Sequence, residues 1–336
     1  MKLSFCIPTY NHGKFLGAAL ESILAQAPED FEIVIVDGAS QDDTPAVVAE
    51  FQRRTSAIVY RRIEHNRGVD PDIAEAVGLA TGDYCWLMSS DDVIPHGAVA
   101  RVLAEVEAGH DLYVGGRTEC TQDLRVFGKR YAFNTRTSFT WNFADERELV
   151  EYLASATCLM AICAYISVLI FRRALWAEAS CSVSYYGCCY AHTHTLLRAL
   201  SRQGTVRFVR EPIVMCRMDN DSFASLGFYR RSLLDFDAYI RIADDVFGDR
   251  PRVRRAFLHV LRRERNVLRL AKLYVACTDD TQLRTVDDRV RRAAYTMSQV
   301  FAAKTLAAAG PLLGVAVIVR RRLSRALGRW RNAAAA

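Results

Sequence analysis

At 336 residues the chain fits one large domain or two modest ones and can bury a substantial core. Hydrophobic residues at 51% and charged residues at 24% are a globular balance and exclude a disordered chain. The net charge of +6 is uneven: residues 249–336 hold 20 Lys and Arg against 6 Asp and Glu, and the residues before them hold 24 against 32. A near-neutral to acidic body with a basic tail points to a polyanion, either anionic lipid or nucleic acid, as the partner of the tail.

Met1 and Lys2 lead directly into an apolar run that ends at Pro8, so no secretory signal is expected. The ten cysteines show no paired metal-type spacing. They are expected to be reduced, mostly buried thiols of a cytosolic protein rather than a disulfide frame or zinc site.

Leu3 to Ile7 reads as a first strand, closed by Pro8-Thr9-Tyr10-Asn11. From about His12 to Gln26, Phe15, Leu16, Ala19, Leu20, Ile23 and Leu24 recur at helical spacing. Phe31 to Val36 is a continuous β-branched run, as expected of a strand covered on both faces, and it ends at Asp37-Gly38. Ser40, Asp42 and Asp43 are helix starters, and Pro45 is tolerated in a first turn. Ile58 to Arg61 is a third strand, Glu64 to Asp72 a polar loop, and Ile73 to Ala80 a short helix. Tyr84 to Met88 is an apolar strand that runs into Ser89-Ser90-Asp91-Asp92.

Strands alternating with helices every 20 to 30 residues give βαβ units and a parallel sheet. Ligands on such sheets bind at the carboxyl ends of the strands. Thr9, Asp37, Asp70 or Asp72, and Asp91-Asp92 all fall at or just beyond strand ends. Adjacent carboxylates repel, and a hard cation bridging to substrate phosphates would offset that repulsion. The structural alternative places Asp91 and Asp92 at the start of a helix with Pro95 in its first turn. There is no Gly-x-Gly-x-x-Gly after the first strand and no Walker-type lysine, which argues against a dehydrogenase or P-loop nucleotidase.

Four stretches, in this order and spacing, resemble the family 2 glycosyltransferases of GT-A fold. They are Phe5 to Asn11, Ile35 to Thr44, Asn66-Arg67-Gly68, and Ala80 through Asp92. Cys85-Trp86-Leu87 and Asn220-Asp221-Ser222-Phe223 make the chain similar to a subgroup of bacterial abequosyltransferase-like O-antigen enzymes. The resemblance implies a Rossmann-like, mostly parallel sheet flanked by helices. Pro8, Thr9 and Tyr10 would border the nucleotide base, Asp37 would accept a hydrogen bond from base or ribose, and Asp70 or Asp72 would line the same pocket, with Ser90 close to the donor. Asp91 would hold Mn²⁺ or Mg²⁺ on the diphosphate, with Asp92 beside it on the acceptor side. Ser89 replaces the usual first Asp of the family's Asp-x-Asp-Asp, which weakens the case for a metal, and Ile73-Ala74 replaces an Arg-Asn pair.

In the second half, Leu112 to Gly116 is a further strand. Tyr131, Phe133, Phe139, Trp141 and Phe143 are expected mainly in the core, although aromatic faces also hold sugars. Leu153 to Phe171 is free of charge and long enough to cross a membrane, but its Ser, Thr and Cys content favours a buried segment ending in a core strand. Aligned on Arg198, the family's general base, an Asp, falls on His192, a residue that takes up a proton at neutral pH. The plainer reading of His192 and His194 is polar residues near a helix start. Arg217 closes the family's last strand, where a cation would approach the diphosphate.

The expected organisation is a catalytic domain over residues 1–225, with a nucleotide half 1–115 and an acceptor half 116–225. A helical, Arg-rich region over 226–336 follows. The apolar stretch 305–319 and the arginines after it suggest an anionic membrane surface, or else a solvated terminal helix. The implied function is a glycosyltransferase, peripheral on the cytoplasmic face of the plasma membrane. It would carry a sugar, such as the deoxysugar abequose, from a nucleotide diphosphate sugar (CDP-linked first) to a lipid-linked oligosaccharide. The rival readings are a catalytically degenerate scaffold and a nucleic-acid-binding protein using the basic tail. Acids on the strand ends argue against nucleic acid on the body.

Overall fold

The computed structural model describes residues 2–309 apart from 180, 181, 219 and 221–223. The first half alternates as expected: β1 (Leu3–Thr9), α1 (Gly13–Leu24), β2 (Phe31–Asp37), α2 (Thr44–Gln52), β3 (Ile58–Arg62), α3 (Val69–Leu79), β4 (Tyr84–Leu87) and α4 (Ala98–Val106). Then come β5 (Leu112–Cys120), β6 (Val126–Arg130), β7 (Phe139–Asn142), α5 (Glu146–Ser155), β8 (Leu169–Arg172), α6 (Arg173–Ala179), α7 (Ala191–Leu200) and β9 (Thr205–Arg217). Helices α8 (Gly227–Phe247), α9 (Pro251–Glu264), α10 (Val267–Val275), α11 (Asp280–Arg292) and α12 (Met297–Ala308) follow.

The strands form one sheet in the order β3-β2-β1-β4-β8-β5-β9-β7, with β6 beside β5. β1 runs parallel to β2 and β4, β2 to β3, and β5 to β9. β8 is antiparallel to both β4 and β5. Two reversals restore direction, so β4, β5 and β9 point the same way as β1 to β3. The carboxyl ends of six strands therefore share one rim, where ligands of such sheets bind. β1 is buried along its whole length, and β2 is buried except for Phe31 at its start. Burial on both faces explains the continuous apolar runs.

Three local expectations change. Helix α3 starts at Val69, so Asp70 and Asp72 lie in its first turn rather than in a loop. Gly68, with φ of 84°, turns the chain in, and Pro71 sits where its missing N–H costs no helical bond. Asp91 and Asp92 do not begin a helix. They lie in a turn, and α4 begins only after Gly97. The segment from Leu153 to Phe171 holds the end of α5, two short 3-10 turns and most of β8. Among the described residues no helix is long and apolar enough to cross a membrane.

Phe133 packs on Trp141, Tyr152 and Phe208 with ring centroids 4.9–5.1 Å apart, a core use of aromatics. Phe139 departs from that expectation and is exposed.

The chain divides into two compact units. One is Met1–Ser222 with Asp237–Glu264, and the other is Phe223–Phe236 with the chain from Arg265. The sequence placed everything after 225 in one C-terminal region. Residues 237–264 join the first unit because Tyr239 packs on Tyr190 at 4.8 Å, Tyr185 bonds Asp245, and Arg263 donates to the Ala154 carbonyl at 2.7 Å. In the second unit, Asn266, Asp279 and Thr296 cap α10, α11 and α12. Of the expected membrane-surface stretch 305–319, residues beyond 309 lie outside the described residues, as do the arginines that follow and Asp221-Ser222-Phe223.

Candidate active site

Register builds the first part of the rim: Thr9 lies opposite Asp37, and Asp37 opposite Arg62. The buried Asp37 carboxylate accepts from Ser40 N at 2.8 Å and from the Tyr60 hydroxyl at 2.6 Å, with Arg62 Nε 3.7 Å away. Burial, with Asp37 as neighbour, pushes the Tyr60 hydroxyl well up. Gly38 donates to the Thr9 carbonyl at 2.8 Å. A Cβ on Gly38 would stand 3.0 Å from Asp72 Oδ2, so glycine lets this loop lie against Asp72. Asp72 receives Arg67 at 3.1 Å, yet burial raises its pKa despite that partner. Asn11 and Ala39 both hold left-handed backbone here, with φ of 53° and 67°. Such strained residues collect at functional sites. Pro8 is buried in β1, Tyr10 beyond it is exposed, and Thr9 Oγ1 is buried with no hydrogen-bond partner.

The end of β4 supplies the second part. Ser167 fixes it from three sides: its carbonyl accepts Trp86 Nε1 at 3.0 Å, its Oγ accepts Ser89 N at 2.9 Å, and the same hydroxyl donates to Asp92 at 2.6 Å. Ser89 Oγ donates to one Asp91 oxygen, and Asn220 Nδ2 donates to the other at 2.7 Å. The Ser90 hydroxyl meets His12 Nδ1 at 2.7 Å. Arg217 donates through Nε to the Gln122 carbonyl at 3.0 Å and through Nη1 to the Asp91 carbonyl. It thus grips the backbone of the acidic turn.

Asp92, expected on the acceptor side, has its carboxylate turned into the protein. Its Oδ2 accepts the Tyr165 and Ser167 hydroxyls, and its Oδ1 accepts Arg217 N at 3.3 Å. It is 1% exposed. Burial and then the charge of Asp91 push its pKa up to about 7, against the two hydroxyl donors. The Arg117 guanidinium lies 4.5 Å over the Tyr165 ring. A carboxylate so enclosed anchors the turn, and Asp91, at 7% exposed, is the more accessible acid of the pair.

His192 lies in the first turn of α7, buried. Its Nε2 is 2.9 Å from the Cys163 carbonyl, which takes a proton-bearing nitrogen, while Nδ1 is buried without a partner. A carbonyl on Nε2 leaves the lone pair on Nδ1. Burial lowers the pKa of His192, offset in part by Asp70. The stretch from Cys163 to Ser167 therefore touches His192 at one end and Asp92 at the other. Asp70, expected at the nucleotide, is instead committed to the backbone before α7, accepting from Gly187, Cys189 and Ala191 N at 2.8–3.0 Å. His194 stacks on Tyr185, with centroids 3.9 Å apart and planes 13° from parallel. Burial lowers its pKa to about 4, which suits a packed neutral ring.

The structure thus brings Thr9, Asp37 and Asp72 together around Gly38, and Ser90, Asp91, Asp92 and Arg217 around the β4 turn. His12, Tyr60, Tyr165 and Ser167 join these groups without having been singled out in the sequence. A hydroxyl aligned with a strand-end acid has no periodic signature, so only His12, directly after Tyr10-Asn11, carried any signal.

Among the described residues no group of three or more His, Cys, Asp and Glu side chains is placed to hold a metal ion. Asp91 offers one carboxylate and Ser89 a hydroxyl. Mg²⁺-like cations take one or two carboxylates and complete their shell with phosphate oxygens and water. The donor set therefore fits a cation carried chiefly by a substrate diphosphate, and it does not fit a closed protein site.

A profile described as "Glycosyl transferase family 2" matches residues 4–174. The abequosyltransferase RfbV of Salmonella typhimurium is 34% identical over 284 residues, covering 82% of this chain and 84% of the relative. A crystal structure of S. aureus TarS 1–349 in complex with UDP-GlcNAc superposes with a TM-score of 0.63 at 15% identity, over 88% of this chain and 82% of that one. The mannosyltransferase PcManGT from Pyrobaculum calidifontis, in complex with GDP-Man and Mn²⁺, gives 0.51 at 17% identity, over 91% and 86%.

Proposed function

The chain belongs to glycosyl transferase family 2, and from that premise we propose that it moves a deoxysugar such as abequose from a CDP-linked donor to a lipid-linked oligosaccharide in cell-surface polysaccharide synthesis. The observation that carries this reading is the 34% identity with an abequosyltransferase over most of both chains. The protein would work at the cytoplasmic face of the plasma membrane, its basic tail against anionic lipid.

In this reading the nucleotide lies on the rim of β1 and β2. Thr9 Oγ1, buried and unpartnered, offers it a hydrogen bond, Tyr10 borders the base, and Asp37 and Asp72 present acceptors beside Gly38. Asp91 faces the diphosphate. A divalent cation bound there would neutralise charge building on the departing nucleoside diphosphate. Arg217 holds the Asp91 backbone and adds positive charge near the same phosphates. His192 would be the base: the Cys163 carbonyl fixes its tautomer and leaves a lone pair on Nδ1, and because Nδ1 is buried, acceptor binding would have to open a path to it. Asp92 contributes by holding the turn through Tyr165 and Ser167.

The test is calorimetric titration with CDP, UDP, GDP and dTDP, each with and without Mn²⁺, on the wild type and Asp91→Ala. Tight, cation-dependent CDP binding lost in Asp91→Ala is the expected result. Cation-independent binding would remove the metal role. Binding of none of the four would turn the reading toward a degenerate scaffold.

A further inference from the structure

One buried carboxylate in the first turn of α3 has an unusual set of partners. Asp70 Oδ2 accepts from Gly187 N at 2.9 Å and Cys189 N at 2.8 Å, and Oδ1 accepts from Ala191 N at 3.0 Å. All three donors are backbone groups more than a hundred residues away in the chain. Asp70 is 2% exposed. Gly187 and Cys189 both hold left-handed backbone, with φ of 91° and 65°, and this turns alternate N–H groups toward one point. Ala191 is the first residue of α7, so the negative charge also lies at the positive end of that helix. Tyr190, which precedes α7, makes no side-chain cap there. Asp70 from α3 supplies that function in trans.

We propose that Asp70 is a positioning residue: its carboxylate folds residues 187–191 around itself and so sets the first turn of α7, which carries His192. The importance of this for transfer rests on the reading of His192 as base; the positioning itself does not. The two residues are linked in a second way, because Asp70 is the charge that offsets the burial of His192. Asp72, two residues on, reaches toward Gly38. The first turn of α3 therefore touches the β2 rim with one carboxylate and seats α7 with the other.

The experiment uses the full chain, without ligand, by amide hydrogen exchange and ¹⁵N-histidine NMR. In the wild type the Gly187, Cys189 and Ala191 amides should be protected, and His192 should show a single tautomer protonated on Nε2. Asp70→Asn should speed exchange of those amides at least tenfold, disturb the His192 signal, and leave β1 to β4 peptides unchanged. Gly187→Ala perturbs the same loop from the other side. A Cβ there meets no atom within 4 Å, so only the backbone angle is penalised, and the same changes are expected. Unprotected amides in the wild type would overturn the proposal even if neither variant folds. So would unchanged exchange in Asp70→Asn. Calorimetry with CDP and Mn²⁺ separates the two readings: Asp70→Asn should bind within twofold of wild type. A loss equal to that of Asp91→Ala would return Asp70 to the nucleotide. If the wild type binds no nucleotide, the transferase reading fails while the exchange result stands.

Discussion

Tyr165→Phe isolates one hydroxyl. The ring remains, so the Arg117 guanidinium keeps its face, while the hydroxyl's bond to Asp92 is removed together with its weaker contact to the Cys216 thiol. Asp92 is raised to about 7 by burial and by Asp91. A folded pKa above the unfolded value means that its contribution to stability is fully present below about pH 4 and is lost as pH rises through about 7. The gap of about three units corresponds to about 4 kcal/mol across that window, as an order of magnitude. Tyr165 donates to the ionised form, so its loss raises the folded pKa further and extends the decline to higher pH. A hydrogen bond to a charged acceptor contributes about 1.5–3 kcal/mol, and one to a neutral acceptor about 0.5–1.5. Urea unfolding at pH 5.5 and 8.5 should therefore show Tyr165→Phe destabilised by about 1 kcal/mol at the lower pH and about 2 at the higher. A gap that is constant, or larger in acid, would refute the inward orientation of Asp92.

Glu32 accepts from Ser4 Oγ, Thr81 N, Gly82 N and Lys2 Nζ near the amino-terminal ends of β1 and β2. Burial opposes its charge, but these donors leave its pKa lowered. Glu32→Gln should cost about 1–2 kcal/mol at pH 7, a difference that shrinks as pH falls below about 4, read by urea unfolding. Gly13→Ala should destabilise by about 1–3 kcal/mol although alanine is the better helix former, because its Cβ would lie 1.9 Å from Asp43 Oδ1 and 2.7 Å from Thr44 N. A raised melting temperature would contradict this. Arg217→Lys keeps the charge but cannot hold the Gln122 and Asp91 carbonyls together. Calorimetry should show nucleotide affinity with Mn²⁺ weakened about tenfold; unchanged affinity would detach Arg217 from the site.

The parallel half of the fold was legible because each βαβ unit repeats one physical pattern: an apolar run, a polar turn and an amphipathic helix. Thr9, Asp37 and Asp91 could be placed on the rim from that alone, since strand ends are positions in sequence. What a carboxylate bonds to is not. Asp70 and Asp72 are two residues apart in one helical turn and point to different partners, one to a loop past residue 186 and the other to Gly38 and Arg67. The early start of α3 was hidden by Pro71, which reads as a loop residue unless Gly68 is seen to turn the chain just before it. Tyr165 and Ser167 lie in an uncharged stretch whose length suggested a membrane, and their hydroxyls find Asp92 only once β8 is paired beside β4.

The same contacts give the departure from the family pattern a physical reading. An acid at 89 would add a third carboxylate to a turn where Asp92 is already pushed to about 7 by burial and Asp91. Serine at 89 removes that repulsion and supplies a donor to Asp91, and Asn220 supplies another. A turn with fewer charges needs less from a cation to hold its shape. In the proposed reading its demand for one would come from the diphosphate of the donor, whose charge grows as the sugar leaves. Restoring the acid with Ser89→Asp tests this directly: without Mn²⁺ the variant should be less stable than wild type at pH 8, and added Mn²⁺ should stabilise it without nucleotide. If Mn²⁺ raises the melting temperature of wild type and variant alike, the serine is not what governs cation demand at this turn.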